Sequence, residues 1–290
     1  MSELLSPARC KESLKVAINN GCDAVYMGVD VFSARNMIKN LSVDEYIQII
    51  EFAHMYNVKV YLTLNTLIND SDINDAISIV IKLYSHGLDA VIIQDIGILY
   101  ILKKVLPEIK IHASTQMCVH NLSQVKYFEK LGFDRVVLAR ELTFEEIKYI
   151  KENSNIELEV FVHGALCVSF SGACLMSSVI GNRSANKGIC AAPCRMRYTF
   201  YNNINKYSGY LLSKKDIYGI EYIDKLIKIG ITSLKIEGRA KPISYIATVT
   251  NKYRKAINNN FDLNDEKELM QIFNRSGKSY RLLKKSRIYK

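Results

Sequence analysis

Apolar residues along the chain gather in short runs, separated by longer segments in which apolar residues recur at helical spacing. Eight short runs are rich in β-branched residues and predict buried strands over 3–6, 24–28, 59–65, 90–94, 110–114, 135–139, 158–163 and 233–237. Two of the longer segments, 43–56 and 144–152, begin with capping boxes, formed in the first by Ser42 and Glu45. Alternating strands and helices predict an α/β fold with a parallel sheet, and eight units predict a closed (β/α)8 TIM-like barrel. An open doubly wound sheet is the alternative.

Four predicted helices end in a glycine that leads directly into a predicted strand. These glycines are Gly21, Gly87, Gly132 and Gly230. Glycine just past a helix readily adopts the left-handed conformation that ends it. The repeated connector supports a regular alternation of helix and strand.

Polar residues at the carboxyl ends of the predicted strands are the candidate functional residues, because barrels carry their active sites at that end. They are Ser6, Tyr26, Asn65, Gln94, His112, Ser114, Gln116, Arg140, Glu141, His163, Lys235, Glu237 and Arg239. Strand alternation places Glu159, Phe161 and His163 on one face of the seventh strand, and Lys235 and Glu237 on one face of the eighth. A charge that points into a barrel must be paired or take part in chemistry, so both readings stay open.

The longest connection lies between the seventh and eighth strands and contains a Cys-rich insertion, predicted over 164–215. Its cysteines are Cys167, Cys174, Cys190 and Cys194, with six, fifteen and three residues between them. Four thiolates are the usual ligand number for one iron–sulfur centre or one structural zinc ion. An insertion at this point would bring that site over the barrel mouth. Cys10, Cys22 and Cys118 are expected to be small buried side chains.

The expected domain organisation is a barrel over 1–260, including the insertion, followed by a short basic C-terminal tail over 261–290. The composition, 49% hydrophobic and 23% charged, is that of a globular protein. No apolar run approaches the roughly 20 residues of a membrane span, so we expect a cytoplasmic protein with no membrane partner. In that reducing compartment the seven cysteines are expected to be free thiols or ligands. The net charge of +10 favours polyanionic partners.

The segment 159–177 resembles the defining motif of the collagenase-like peptidase family U32. The motif specifies Glu-x-Phe-x-x-Gly, a small residue, an aliphatic residue and Cys, followed after four positions by Gly-x-Cys-x-aliphatic-Ser. The matching residues are Glu159, Phe161, Gly164, Ala165, Leu166, Cys167, Gly172, Cys174, Met176 and Ser177. Similarity continues at 186–190, 193–195, 212–216, 233–239 and 273–275. The resemblance therefore covers nearly the whole chain.

The resemblance implies one of two activities. Some members of the family are recorded as collagen-degrading peptidases. Others resemble oxygen-independent hydroxylases that carry a 4Fe-4S cluster on cysteines of this region and modify a tRNA uridine, a ribosomal RNA cytidine or a quinone precursor. In the tRNA branch, prephenate is implied as the source of the hydroxyl group.

We expect the hydroxylase activity, with tRNA and a small carboxylate co-substrate, prephenate, as partners. Cys167, Cys174, Cys190 and Cys194 would hold the 4Fe-4S cluster, with zinc as the alternative cofactor. We expect His163, Glu237 and Arg239 to line the mouth as catalytic residues. Arg140 and Arg239 are suited to bind the carboxylate, because a guanidinium can hold one bidentately.

Peptidase activity is the main alternative. A thiol protease could pair Cys167 with His163, although a catalytic thiol acts alone and four are clustered here. The chain contains neither a His-Glu-x-x-His helix nor a Gly-x-Ser-x-Gly turn. A further reading is a non-catalytic cluster-binding subunit that pairs with a longer family member.

Two departures from the family pattern affect these expectations. Where many relatives have a cysteine after Ser-x-Lys-Asp-Leu, this chain has Tyr218. If that cysteine is a ligand in relatives, then Cys190 and Cys194 must both serve here, or one ligand is not a cysteine. Longer relatives also continue into a small β-rich domain where this chain has its basic tail. Recognition by that domain would be lost or supplied by a partner chain.

Overall fold

The computed structural model describes residues 2–30, 32–33, 41–202 and 205–272, together with the backbone of 280–281. Its strands are β1 (Glu3–Pro7), β2 (Ala24–Met27), β3 (Lys59–Leu64), β4 (Ala90–Ile93), β5 (Lys110–Ala113), β6 (Arg135–Val137), β7 (Glu157–Ala165), β8 (Tyr198–Tyr201), β9 (Lys206–Gly209), β10 (Asp216–Tyr218), β11 (Ser233–Ile236) and β12 (Tyr280–Arg281). Strands β1 to β7 pair in parallel in chain order, and β11 pairs in parallel with both β7 and β1. These eight strands close the predicted TIM-like barrel, so the doubly wound alternative is wrong.

Helices follow most barrel strands and cover the outside of the sheet. They are α1 (Lys11–Asn19), α2 (Val43–His54), α3 (Ile73–Tyr84), α4 (Ile96–Val105), α5 (Leu122–Leu131), α6 (Phe144–Glu152), α7 (Met176–Gly181), α8 (Ile223–Lys228), α9 (Ile243–Ile257) and α10 (Leu263–Gln271). The predicted capping boxes begin α2 and α6. The four connector glycines all have positive φ, between 84° at Gly230 and 93° at Gly87, which confirms their role as helix ends.

The core has two parts, because successive strand residues point to opposite faces of the sheet. A large apolar layer, to which Leu4 belongs, fills the space between the strands and the outer helices. A small cluster fills the inside of the barrel: Leu5, Ala24, Tyr26, Tyr61, Ala90 and Ile92. Within the barrel, this cluster adjoins a group of buried charged residues.

That charged group confirms ion pairing for two of the inward-facing candidates. The Lys235 ammonium lies 2.7 Å from the Glu159 carboxylate, and both residues are buried. The Arg135 guanidinium contacts Glu159 at 3.3 Å and Glu3 at 2.7 Å. Burial alone would raise the pKa of Glu159, but Lys235 and Arg135 outweigh it and hold that pKa below its ordinary value.

The connection between β7 and β11 contains structure of its own. It includes α7, the antiparallel hairpin β8–β9, and β10, which pairs antiparallel with the end of β7. The region predicted as a basic tail begins with α10, which packs on α9 through a 2.7 Å contact between Lys252 and Asp265. Residues 273–279 and 282–290 of the tail lie outside the described residues.

Candidate functional site

A pocket of about 420 Å³ lies at the carboxyl end of the barrel. One part of its wall comes from the barrel strands and includes Tyr26, Thr63, Asn65, Phe161 and Lys235. The other part comes from residues 165–195, which follow β7 and lie over the barrel mouth. The polar strand ends of the barrel therefore lie beside the Cys-rich segment.

All four clustered cysteines line this pocket. They are Cys167, Cys174, Cys190 and Cys194. Burial raises the pKa of the Cys194 thiol, and the other three cysteines, close enough to act on it electrostatically, raise it further against the opposing effect of Arg195. The sulfurs thus face a common space, although their role as ligands stays a prediction.

Hydrogen bonds to sulfur occur at three of these cysteines. The Cys174 sulfur accepts from the Met176 backbone N–H at 3.4 Å, and the Cys190 sulfur accepts from that of Ala192 at 3.3 Å. In each case the donor lies two residues further along the chain. The Cys167 sulfur lies 3.2 Å from the Ser169 hydroxyl. Hydrogen bonds to a ligand atom help to orient it toward a metal.

The donor chemistry of the pocket fits a soft metal centre. No Asp or Glu occurs between Glu159 and Asp216, so the Cys-rich segment offers thiols without competing carboxylates. Across the described part of the chain, no three His, Cys, Asp or Glu side chains are arranged to hold a single metal ion. Four thiols are the ligand set of either an iron–sulfur cluster or a structural zinc ion, so both cofactors stay predictions.

Arg239 is a buried cation at the pocket wall. Its Nη1 donates to the Ser33 hydroxyl at 2.8 Å and to the Thr63 hydroxyl at 2.7 Å. The guanidinium also lies 5.9 Å from the centroid of the Tyr26 ring. These contacts hold the guanidinium in one orientation, as a residue that positions an anionic ligand requires.

Arg140 lies on another part of the wall. Its guanidinium stacks 4.3 Å from the Phe161 centroid, and its Nη1 donates to the Ala165 carbonyl at 3.0 Å. Within the described residues, its buried Nε has no hydrogen-bond partner, and neither do Thr115 Oγ1 and Gln116 Oε1 on the same pocket. Buried polar atoms are normally satisfied, so these three atoms indicate the place of a polar ligand.

Lys235 forms part of the pocket floor. Its ammonium lies 4.4 Å from the Tyr26 centroid and 5.3 Å from that of Phe161, while bonded to Glu159. Burial lowers its pKa, and Glu159 only partly offsets this effect. Glu237 is the one carboxylate among the described residues that line the pocket.

His163 does not lie at the mouth, and the prediction that it does is wrong. Strand β7 contains a bulge: Lys235 pairs with Phe161, but the next residue, Ile236, pairs with His163 rather than Val162. The extra residue reverses the alternation, so Phe161 points to the pocket and His163 points outward. There its Nδ1 lies 3.2 Å from the Tyr253 hydroxyl of α9, and burial lowers its pKa to about 3.

The thirteen strand-end candidates divide into two groups. Eight line the pocket: Tyr26, Asn65, Ser114, Gln116, Arg140, Lys235, Glu237 and Arg239. The other five, Ser6, Gln94, His112, Glu141 and His163, do not. Glu141 instead holds the loop after β7, accepting from the Ser171 backbone N–H at 2.8 Å and hydroxyl at 2.6 Å.

Sequence reasoning missed several polar residues of the wall, among them Thr63 and Lys241. Thr63 on β3 precedes Asn65 by two positions, so strand alternation could have placed both on the inner face. Lys241 lies in the turn between β11 and α9, where no periodic pattern indicates a direction. Tyr218 is not on the pocket: its ring lies 6.3 Å from that of His163, behind β7. The candidate ligands in this chain therefore remain the four cysteines.

The family assignment follows from comparison with known proteins. The family model for peptidase family U32 matches residues 10–288. The chain belongs to peptidase family U32. None of the described helices is long and apolar enough to cross a bilayer.

Two of the relatives that the chain resembles in sequence are named for RNA modification. The chain is 40% identical over 258 residues to the 23S rRNA 5-hydroxycytidine synthase of Escherichia coli, covering 88% of this chain and 39% of that protein. It is 38% identical over 264 residues to tRNA hydroxylation protein P1 of Bacillus subtilis, covering 88% of this chain and 63% of that protein. The chain thus spans less than two thirds of the length of both relatives.

A solved structure of a U32 peptidase shares the fold of this chain. The U32 peptidase Mk0906 superposes with a TM-score of 0.56 at 15% identity, covering 83% of this chain and 94% of that one. At this identity the likeness concerns the barrel fold alone.

Proposed function

We propose that this chain carries the catalytic centre of an RNA hydroxylase that modifies a tRNA uridine, with a 4Fe-4S cluster and prephenate, or a similar small carboxylate, as co-substrate. The main support is the pocket in which four cysteines of the Cys-rich segment face polar strand ends of the barrel. The names of the two RNA-modifying relatives support the reaction class.

The residues of the pocket have distinct roles in this proposal. Cys167, Cys174, Cys190 and Cys194 would hold the cluster, which would supply one-electron redox chemistry beside the pocket when bound. Arg239, oriented by Ser33 and Thr63, binds a carboxylate of the co-substrate.

The remaining wall residues select and activate the ligands. Arg140 donates a hydrogen bond from its unpartnered Nε–H to a second acceptor, and Gln116 Oε1 accepts a hydrogen bond from a donor group of the ligand. Glu237 is placed to accept a proton from a reacting group, because it is the carboxylate at the pocket. Tyr26 and Phe161 line the pocket with aromatic rings that exclude water beside a bound ligand.

Mass spectrometry of tRNA nucleosides tests the reaction. Cells without the gene should lack a hydroxylated uridine that reappears with the wild-type gene and stays absent with Cys167→Ser. A nucleoside profile that does not change between these strains would contradict the proposal.

Peptidase activity is the second candidate, because the family and one solved member are named for it. A thiol protease would pair Cys167 with His163. These two residues lie on different sides of β7 here, because Cys167 lines the pocket and His163 packs against Tyr253. Incubation with gelatin separates the candidates: cleavage that Cys167→Ser abolishes would favour the peptidase. Loss of activity unless a longer relative is added would favour a cluster-binding subunit.

A further inference from the structure

The segment that carries the four cysteines is also strongly cationic. Residues 160–215 contain no Asp or Glu and seven basic side chains: Arg183, Lys187, Arg195, Arg197, Lys206, Lys214 and Lys215. The net charge of the whole chain is +10, so most of its excess charge falls in this stretch. A positive field of this kind attracts a polyanion and repels a basic protein surface.

The β8–β9 hairpin within this segment exposes aromatic rings on both faces. Phe200 lies opposite Tyr207 on one face, and Tyr201 lies opposite Lys206 on the other. The exposed fractions are 56% for Phe200, 51% for Tyr207 and 66% for Tyr201. In the described part of the chain the hairpin forms a sheet of only two strands. Apolar rings are normally buried, so a two-stranded ribbon that exposes them is suited to bind a partner.

The base of the hairpin is fixed to the pocket wall. The Tyr198 hydroxyl donates to the Pro193 carbonyl at 3.0 Å, next to Cys194. Arg195 donates to the Ser213 hydroxyl at 2.7 Å and to the Lys214 carbonyl at 2.6 Å, and it also contacts the Leu166 carbonyl. Arg195 thus joins both ends of the hairpin region to the end of β7. A ligand held on the hairpin would lie beside the pocket.

We propose that the β8–β9 hairpin binds unpaired RNA, with bases stacked on Phe200 and Tyr207 and phosphates held by Arg197 and Lys215. Aromatic rings interleaved with cations are the feature by which proteins bind single strands, because every base has a face that can stack. The absence of acidic residues from 160–215, the segment that contains the hairpin, favours RNA over a protein partner. This inference rests on the proposed function and adds the surface that holds the RNA.

Fluorescence anisotropy with a labelled oligouridine of about a dozen nucleotides tests the hairpin directly. The double variant Phe200→Ala, Tyr207→Ala should bind at least about tenfold more weakly, since two stacking contacts are lost. Phe200→Trp should bind as the wild type does, because it keeps a stacking ring. The matched control is Tyr149→Ala on α6, which removes a ring that is 59% exposed on a barrel helix and should leave binding unchanged.

The outcomes separate the hairpin from the reaction. Circular dichroism and thermal melting must show that the double variant is folded. The proposal would be overturned if the folded double variant bound oligouridine as tightly as the wild type. It would also be overturned if the double variant kept its RNA binding but no longer bound a longer family member. Weaker binding without any hydroxylation by the wild type would reject the proposed reaction and keep the RNA-binding hairpin. If the double variant binds oligouridine normally and hydroxylates tRNA normally, the RNA-binding hairpin is rejected and the proposed reaction is kept.

Discussion

The Glu159 carboxylate is buried inside the barrel and compensates two cations at once. Lys235 and Arg135 both contact it, and Arg135 also reaches the half-exposed Glu157 at 2.8 Å. Removing one member of a buried pair leaves an uncompensated charge, whereas a pair exposed to water contributes little. The two glutamates of β7 therefore allow a matched comparison.

Glu159→Gln should destabilise the protein by about 3 kcal/mol, because the two buried cations lose their shared carboxylate. Glu157→Gln should change the free energy of unfolding by about 0–1 kcal/mol. Urea denaturation at neutral pH measures both. Equal midpoints for the two variants would mean that the buried network does not stabilise the barrel.

His163 gives the fold a dependence on acid. Burial lowers its pKa to about 3 from an ordinary value of 6.5, so the folded chain keeps the ring neutral while the unfolded chain protonates it. Stability is therefore lost as the pH falls below 6.5, with a slope of about 1.4 kcal/mol per pH unit until the folded pKa is reached.

His163→Asn should remove this part of the acid dependence. Between pH 6.5 and 5 the wild type should lose about 2 kcal/mol more stability than the variant. The exposed His86 supplies the control, since His86→Asn should keep the acid loss of the wild type. Urea titrations at the two pH values give the answer, and parallel losses in all three proteins would show that His163 is not buried.

At the scale of elements, the turn from β7 into the Cys-rich segment depends on a backbone that only glycine tolerates well. Gly164 has a φ of 111°, and an added Cβ would lie 2.5 Å from the Glu237 carbonyl oxygen. The conformation places the strand end directly against β11, three residues before Cys167.

Gly164→Ala should destabilise the protein by about 1–3 kcal/mol, because it combines a positive φ with a clash against backbone. Gly181→Ala is the control, since a Cβ there meets nothing within 4 Å, and its effect should stay within about 0.5 kcal/mol. Thermal and urea denaturation compare them. A Gly164→Ala protein as stable as the control would mean that β7 and β11 can separate without loss.

Elements that repeat a local rule could be predicted from the sequence, and those that break one could not. The strands, the capping boxes and the connector glycines depend on neighbouring residues, and all are found where expected. The bulge in β7 depends on pairing with β11, some seventy positions away, so alternation placed His163 on the wrong face. The partners of Arg239 and Arg140 come from distant parts of the chain, such as Thr63 on β3 and Ala165 on β7, and likewise leave no local signal.

At the scale of the whole molecule, the site exists only because two parts of the chain meet. The barrel supplies Arg239, Lys235 and Glu237, and the segment after β7 supplies the cysteines. The chain covers 39% and 63% of the RNA-modifying relatives that it matches, and this part contains both walls of the pocket. A cofactor held by the cysteines would therefore be detectable in the chain by itself.

Anaerobic purification should yield a brown protein with about four irons and four sulfides per chain. Cys167→Ser should lose most of both and the visible absorbance, because it removes one of the four ligands. Cys10→Ser is the matched control: Cys10 precedes α1, away from the pocket, and the variant should keep its iron. Colourless wild-type protein with one zinc per chain would contradict the cluster. Iron retained by Cys167→Ser but lost from Cys10→Ser would reject the pocket as its site.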